Sequence, residues 1–225
     1  MNQPRAVDFA RIAMALHGAD GVGATLDQIA ELACATVDSD MCGVMLVHRG
    51  NRVETAAVTD DRVAAADRLQ IECGEGPCLE AMEDKSLFII DDTTTETRWQ
   101  TWCRSVVDLE VRSVLSVRLF TLQQTIGSLN IYSSRPHHFT QEDAQIGGIF
   151  AGHASVAIAA AQTESGLREA MESRHLIGIA QGMLIERFGL EKEQSFAVLR
   201  RYSQDRNMKL RSVAQYVVEH GSLPE

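Results

Sequence analysis

Apolar residues recur along this chain in changing rhythms, and each rhythm predicts a kind of element. In "VDFARIAMALHG" they fall at positions 7, 9, 12, 13 and 16, the spacing of a short amphipathic helix. "GADGVGA" interrupts the pattern, and Thr25 is placed to cap a second helix, "LDQIAELACATV". The rhythm then shortens. "CGVMLVHRGNRVETAAVT" predicts two strands about a turn at Arg49, Gly50 and Asn51. "DDRVAAADRLQ" returns to helical spacing and leads into "CGEGPCLEAM", a glycine-rich turn opening another helix. "SLFIIDD" predicts a short buried strand and "RWQTWCRSVVDL" a helix. A second strand pair follows, "RSVLSVRLFTLQQTIGSLNIYSSR", with its turn near "LQQ".

After "HHFT" the helical rhythm is unbroken from about Gln141 to Phe188, without a proline. Its glycines at 147, 148, 152, 166, 178 and 182 each cost about 1 kcal/mol relative to alanine, which a long helix tolerates. A helix of that length exceeds what one small domain can cover, which predicts projection and pairing with a second copy. Ile146, Ile149, Phe150, Val156, Ala157 and Ala160 keep three-and-four spacing, interrupted by His153. That stripe suits a helical interface or, over its first half, the domain's own sheet. Gly189 fits a left-handed stop, with Leu190 as its apolar contact. "EKEQSFAVLRRYSQ" and "KLRSVAQYVVEH" predict two further helices, with Asn207 as a cap or left-handed residue between them. Phe196, Leu199 and Ser203 form the stripe of the first; Leu210, Val213, Ala214, Val217 and Val218 form that of the second. The fold class is therefore α+β: an antiparallel sheet with flanking helices, a long connecting helix and a C-terminal three-helix bundle.

Composition narrows this picture. At 225 residues, 45% hydrophobic and 23% charged, the chain has the content of a globular protein with one main domain and a smaller unit. The expected divisions are an N-terminal helix over 1–24, a main domain over 25–163 and a helical module over 164–225. No uninterrupted apolar run approaches the roughly 20 residues of a membrane helix. "MNQPRAVDFARIAM" lacks the apolar core of a signal peptide. The expectation is a cytoplasmic protein without a membrane partner. Five cysteines (34, 42, 73, 78, 103) show no C-x-x-C pair and no zinc-like spacing with the seven histidines, so reduced thiols without metal or cofactor are expected. His137 and His138 are adjacent, as in a turn.

Charge divides the chain. The formal net charge is −10, yet residues 164–225 hold nine Lys/Arg and nine Asp/Glu, leaving 12 and 22 for residues 1–163. An acidic body repels polyanions, which confines any nucleic-acid contact to the tail. There "RRYSQDRNMKLRSVA" gathers Arg200, Arg201, Arg206, Lys209 and Arg211 against the single acid Asp205. Such a cluster is either a solvated helix face or a surface for phosphates.

The segment "SRHLIGIAQGMLIERFGLEKEQSFAVLRRYSQDRNMKLRSVAQYVV" resembles the ANTAR domain, the RNA-binding module of bacterial transcription antitermination regulators. The resemblance rests on "A-x-G-x-L-x-E-R", the "GL" break, "SFAVLRRYS" and "N-x-K-L-x-x-V-A". It departs at Gln181, where a basic residue is common, and at Glu191, where Ser or Thr often caps the second helix. It implies binding to a pair of short hairpins in a leader RNA, which blocks an overlapping terminator. By position the implied RNA contacts are Arg174, Gln181, Gly182, Arg200, Arg201, Tyr202, Asn207, Lys209 and Arg211. Lys and Arg would hold the backbone, and Tyr202 would either stack on a base or complete the bundle core. Ala180 and Gly182 would permit close approach of RNA or close helix packing.

Residues 25–163 resemble a GAF domain, through the order of elements, "GEGPC" and "G-x-L-x-I-Y". GAF followed by ANTAR is a known pairing. The resemblance implies a sensor of an unknown small-molecule effector or a dimerisation scaffold, so a homodimer through this domain and the connecting helix is expected. Phe139 and Asp143 match part of a cyclic-nucleotide pattern, but Ala144 and the lack of an Asn-Lys pair depart from it. "GEGPC" offers backbone amides to an anion. Some GAF-like enzymes reduce free methionine sulfoxide with cysteines, which makes Cys73, Cys78 and Cys103 candidate redox residues. Their neighbours Glu72, Glu75 and Glu80 would raise a thiol's pKa rather than lower it. No catalytic residue is assigned. The alternatives are a GAF-based small-molecule or redox sensor acting through DNA binding, and a thiol-dependent methionine sulfoxide reductase.

Overall fold

The computed structural model of the protein describes residues 12–16, 18–83 and 87–223. It divides into two compact units, the first running through Gln162 and the second from Thr163. The helix expected from residue 7 lies outside the described residues as far as residue 11; residues 12–16 are helical.

In the first unit, α1 (Gly21–Thr36) precedes the hairpin β1 (Met41–His48) and β2 (Arg52–Val58). Gly50 and Asn51 take φ of 78° and 57° at the turn, the left-handed pair that a tight hairpin requires. Next come α2 (Asp61–Cys73), α3 (Pro77–Glu83), β3 (Leu87–Ile90) and α4 (Gln100–Val106), which runs into a 3-10 turn. A second hairpin, β4 (Ser113–Phe120) and β5 (Thr125–Ser133), leads to α5 (Gln141–Phe188). The five strands form an antiparallel sheet in the order β2-β1-β5-β4-β3.

Period-two alternation explains why the sheet is buried on both faces. Cys42, Val44 and Leu46 of β1 join one core with Leu26, Ile29 and Ala33 of α1; Met41 and Met45 point into the other, with Val63, Trp102 and Tyr132. Gly127 lies so close to Met45 that a Cβ there would meet the Met45 carbonyl, so only glycine fits this strand crossing.

Two local expectations are corrected. Thr25 does not cap α1, which begins at Gly21; its hydroxyl donates to the Gly21 carbonyl at 2.9 Å from inside the helix. The face of α5 on the sheet core is Ala144, Phe150, Ala151, Ala154 and Ile158, whereas Ile149 and Val156 are exposed. Ala144, Ala151 and Ala154 let the helix approach the sheet closely, while Phe150 and Ile158 fill the space between them. Among the described residues, α5 is also one helix long and apolar enough to cross a membrane. Its polar interruptions are Gly, His, Ser and Gln rather than charges, so a tract without a long uninterrupted apolar run still averages as apolar, and that tract includes the core-facing positions.

In the second unit the last part of α5 packs with α6 (Lys192–Asp205) and α7 (Leu210–His220) about a small core. Ala180, Leu184, Leu199, Val213, Ala214 and Val217 are its fully buried members. Gly189 stops α5 with φ of 66°, its amide donating to the Ile185 carbonyl at 2.9 Å. On α6 the buried stripe is Ser195 and Leu199 with Tyr202 beside them, while Phe196 is exposed. Glu191 caps α6 better than its type suggests: it forms a reciprocal capping box with Gln194, whose side-chain oxygen accepts from the Glu191 amide at 2.9 Å.

Candidate nucleic-acid interface and sensor cleft

The cationic segment spans the end of α6, the turn after it and the start of α7. Asn207 makes that turn, in the left-handed conformation at φ of 50°. Ser203 holds it from both sides: its carbonyl accepts from the Met208 amide at 2.9 Å, and its hydroxyl donates to the Met208 carbonyl at 2.6 Å. Lys209 then takes the N-cap position of α7. Arg200, Arg201, Arg206, Lys209 and Arg211 are all exposed, because Leu199, Val213 and Ala214 claim the inward positions. Arg201 pairs with Asp205 one turn on at 3.4 Å, and Arg211 with Glu172 of α5 at 3.0 Å. Both pairs are solvent-exposed, so they hold the side chains weakly and leave them available to a phosphate. The Arg206 guanidinium lies over the Tyr202 ring at 5.7 Å.

The other residues singled out from sequence divide by role. Arg174 is exposed on α5, and so is Gly182, where an added Cβ would meet open space. Ala180 is fully buried, so the small residue needed for helix packing is Ala180, not Gly182. Gln181 is engaged within the bundle: its amide donates to the Lys192 carbonyl at 3.2 Å and to Ser195 Oγ at 3.3 Å. Tyr202 is half-buried against the core and presents only part of its ring.

In the first unit a cleft of about 670 Å³ opens beside the sheet, lined by Glu75, Glu80, Glu83, Leu79, Met82 and Trp99 among others. Glu75 accepts from the amides of Thr101 and Trp102 at 2.7 and 3.1 Å; Glu80 accepts from Trp99 Nε1 at 3.0 Å. The "GEGPC" turn does not form an anion cradle. Its Cys78 amide donates to Gln70 Oε1 at 2.9 Å, its Gly74 amide donates to the Gln70 carbonyl, and carboxylates line the cleft it borders. Phe139 and Asp143 prove structural as well. Phe139 is a core residue, and the Asp143 carboxylate accepts from Thr140 N and Oγ1 at the start of α5.

The first unit also holds a buried polar network that the sequence does not announce. Tyr132 donates to Asp67 Oδ1 at 2.7 Å, Thr55 to Oδ2 at 3.0 Å and Asn130 to Oδ1 at 3.4 Å. Burial pushes Asp67 up to about 6, against the opposing pull of those three donors. Its members come from distant segments, and only the alternation of polar Asn130 and Tyr132 with Leu129 and Ile131 marks them in the sequence.

Two of the three candidate redox cysteines, Cys78 and Cys103, have surroundings that favour the thiol. Cys78 is buried and hydrogen-bonded to Gln70, and burial first, then Asp67, raises it to about 12. Cys103 is raised to about 12 by burial and by Glu96 and Glu75; Cys73 is half-buried. Among the described residues no group of histidine, cysteine or carboxylate side chains has the arrangement of a metal site.

The first unit is thus a two-faced antiparallel sheet with helices on both sides, and the second is a helical bundle bearing an exposed cationic turn. Residues 19–159 match the model of the GAF domain and residues 165–218 that of the ANTAR domain; the chain belongs to the GAF family and carries an ANTAR domain. This combination is that of an RNA-binding regulator with a sensing domain. No curated protein sequence matches the chain. Among solved structures, the GAF domain from an Acinetobacter phosphoenolpyruvate-protein phosphotransferase is similar, at 15% identity and a TM-score of 0.57 over 74% of this chain and 99% of that one. A bacteriophytochrome from R. palustris is similar at 13% identity and a TM-score of 0.58, over 87% of this chain and 46% of its own. The free methionine-R-sulfoxide reductase from Neisseria meningitidis, solved with its substrate, is similar at 19% identity and a TM-score of 0.54, over 69% and 88%. At these identities the likeness is one of fold.

Proposed function

We propose that the protein is a transcription antitermination regulator whose ANTAR bundle binds paired hairpins in a leader RNA and so prevents an overlapping terminator from forming. The observation that carries this reading is the exposed cationic turn about Asn207, inside the segment that matches the ANTAR domain. Arg200, Arg201, Lys209 and Arg211 hold the RNA backbone, and Arg174 and Gly182 supply an approach along α5. Gln181 acts from within, fixing α6 against α5 rather than touching phosphate. The exposed edge of Tyr202 stacks on a loop base, with Arg206 beside it.

The GAF domain supplies control. Its effector occupies the cleft beside Trp99 and carries no anionic group, since Glu75, Glu80 and Glu83 would repel one. The protein acts in the cytoplasm as a homodimer through the GAF domain and α5. Support comes from Ile149 and Val156, exposed and seven residues apart in the first unit, and from Leu167 and Met171, exposed in the second. Val156→Glu is expected to yield a monomer with weaker RNA binding; a monomer with unchanged RNA affinity would contradict the dimer model.

The deciding experiment is binding of a paired-hairpin leader RNA by the purified protein, with duplex DNA as competitor. Binding that survives the DNA supports antitermination. Displacement by DNA would favour a DNA-binding regulator instead.

A further inference from the structure

Two cysteines that the sequence does not mark as related are brought together at the end of α1. Cys34 sits in the last turn of that helix, half-buried, and Cys42 is fully buried near the start of β1. The loop between them reverses through Asp38, at φ of 51°, so that the Ser39 amide donates back to the Cys34 carbonyl at 3.0 Å. Ser39 Oγ then donates to Cys34 Sγ at 3.4 Å. Thr59 fastens the other side. Its hydroxyl accepts from the Cys42 amide at 2.8 Å, donates to the Cys42 carbonyl at 3.2 Å and lies 3.8 Å from Cys34 Sγ. One hydroxyl thus touches the Cys34 sulfur and both backbone polar groups of Cys42, and Cys34 packs against the core that holds Cys42.

We propose that Cys34 and Cys42 form an oxidisable thiol pair, converted by a hydroperoxide into an intramolecular disulfide. The roles differ because the surroundings differ. The half-buried Cys34 is the one open to a small oxidant, while Cys42 is fully buried. Hydrogen bonds first from Cys42, then from Ser39 and Thr59, bring Cys34 down to about 6 against burial and the charge of Asp40. The Asp40 carboxylate is itself held by Ser133 and Ser134. Burial first, then Cys34 itself, holds Cys42 as the neutral thiol.

The chemistry balances. The Cys34 thiolate attacks the peroxide; an S–O bond forms, the O–O bond breaks, and the departing oxygen leaves as an alcohol or water after taking a proton. Cys34 is then a sulfenic acid. The Cys42 sulfur attacks the Cys34 sulfur, the S–O bond breaks, and hydroxide leaves as water with the Cys42 proton. Two thiols lose two electrons and one peroxide is reduced. Cys78 and Cys103 serve as internal controls, since burial raises both.

The test exposes the full-length protein to stoichiometric hydrogen peroxide, blocks remaining thiols under denaturing conditions, and digests it without reductant using a protease that cuts before aspartate. Asp38 and Asp40 lie between the two cysteines, so a disulfide links two otherwise separate peptides. The expected result is that linked pair, with three of the five thiols still free. Cys42→Ala is expected to stop at a Cys34 sulfenic acid trapped by dimedone, and Cys34→Ser to abolish both products. A Cys34 that stays free, that passes to sulfinic acid without linking, or that links to Cys73, Cys78 or Cys103 would overturn the proposal. The wild-type digest decides the matter even if a variant folds poorly.

Discussion

The two units solve opposite problems. The first surrounds its sheet with two cores and keeps its distinctive polar residues inside: Asp67, Tyr132 and Asn130 are all fully buried. The second has a core of six fully buried residues and keeps its distinctive residues outside, with Arg200, Arg201, Lys209 and Arg211 all exposed. A group inside a large core is fixed by packing and can be tuned electrostatically, as Asp67 is. A group on a small bundle is tuned by little, but it can meet a macromolecule. The proposed sensing and RNA contact divide along the same line.

The sharpest way to break the comparison is to damage each core separately. Leu199→Ala removes the centre of the small bundle and is expected to cost about 2–5 kcal/mol, a large share of what a unit of this size holds. Both tryptophans, Trp99 and Trp102, lie in the first unit. The variant should therefore lower a melting transition seen by far-UV circular dichroism while leaving the tryptophan-fluorescence transition in place.

Asp67 probes the other side. Its folded pKa, about 6, lies above the ordinary carboxylate value, so its contribution is most favourable below about pH 4 and is lost as pH rises through 6. Asp67→Asn keeps a neutral acceptor for Tyr132 and is expected to stabilise the first unit above pH 6 by on the order of 2 kcal/mol. The difference from wild type should shrink to near zero by pH 4, as measured by denaturant unfolding followed through tryptophan. A gain that does not change with pH would show that the carboxylate is not strained by burial.

Smaller effects are expected at the surface. Arg200→Ala/Arg201→Ala and Lys209→Ala/Arg211→Ala should each change stability by no more than about 0.5 kcal/mol, as thermal melts would show. Gly182→Ala should stabilise α5 by about 0.5–1 kcal/mol, because the added methyl meets open space. The same methyl should weaken RNA binding if the RNA backbone approaches there; unchanged affinity would remove Gly182 from the interface.

Much of this was legible from local chemistry. Gly50 and Asn51 announced the hairpin, Gly189 the end of α5 and Asn207 the turn between α6 and α7, because each needs a backbone conformation few residues tolerate. The helical limits of α5 followed from its unbroken periodicity. What remained hidden depends on residues far apart or on choices between faces. Thr55, Asp67, Asn130 and Tyr132 meet only when the sheet has closed. Cys34 and Cys42 come to share the Thr59 hydroxyl across a loop in which Asp38 is left-handed. The hydrogen bonds of the Gln181 amide to Ser195 and to Lys192 at the start of α6 likewise span helices that the sequence does not show to be neighbours. Spacing alone puts Phe196 on one stripe with Leu199, but Leu199 is fully buried and Phe196 is exposed.

The central claim is that the cationic turn about Asn207 is an RNA surface, and salt dependence tests it most directly. Affinity for a paired-hairpin leader RNA should be measured across a range of salt for wild type and the two double variants. The account predicts weaker binding in both variants, with the salt slope reduced by about 1 for each cation removed. Affinity and slope unchanged in both would show that this face is only solvated, and the antitermination reading of the surface would fall.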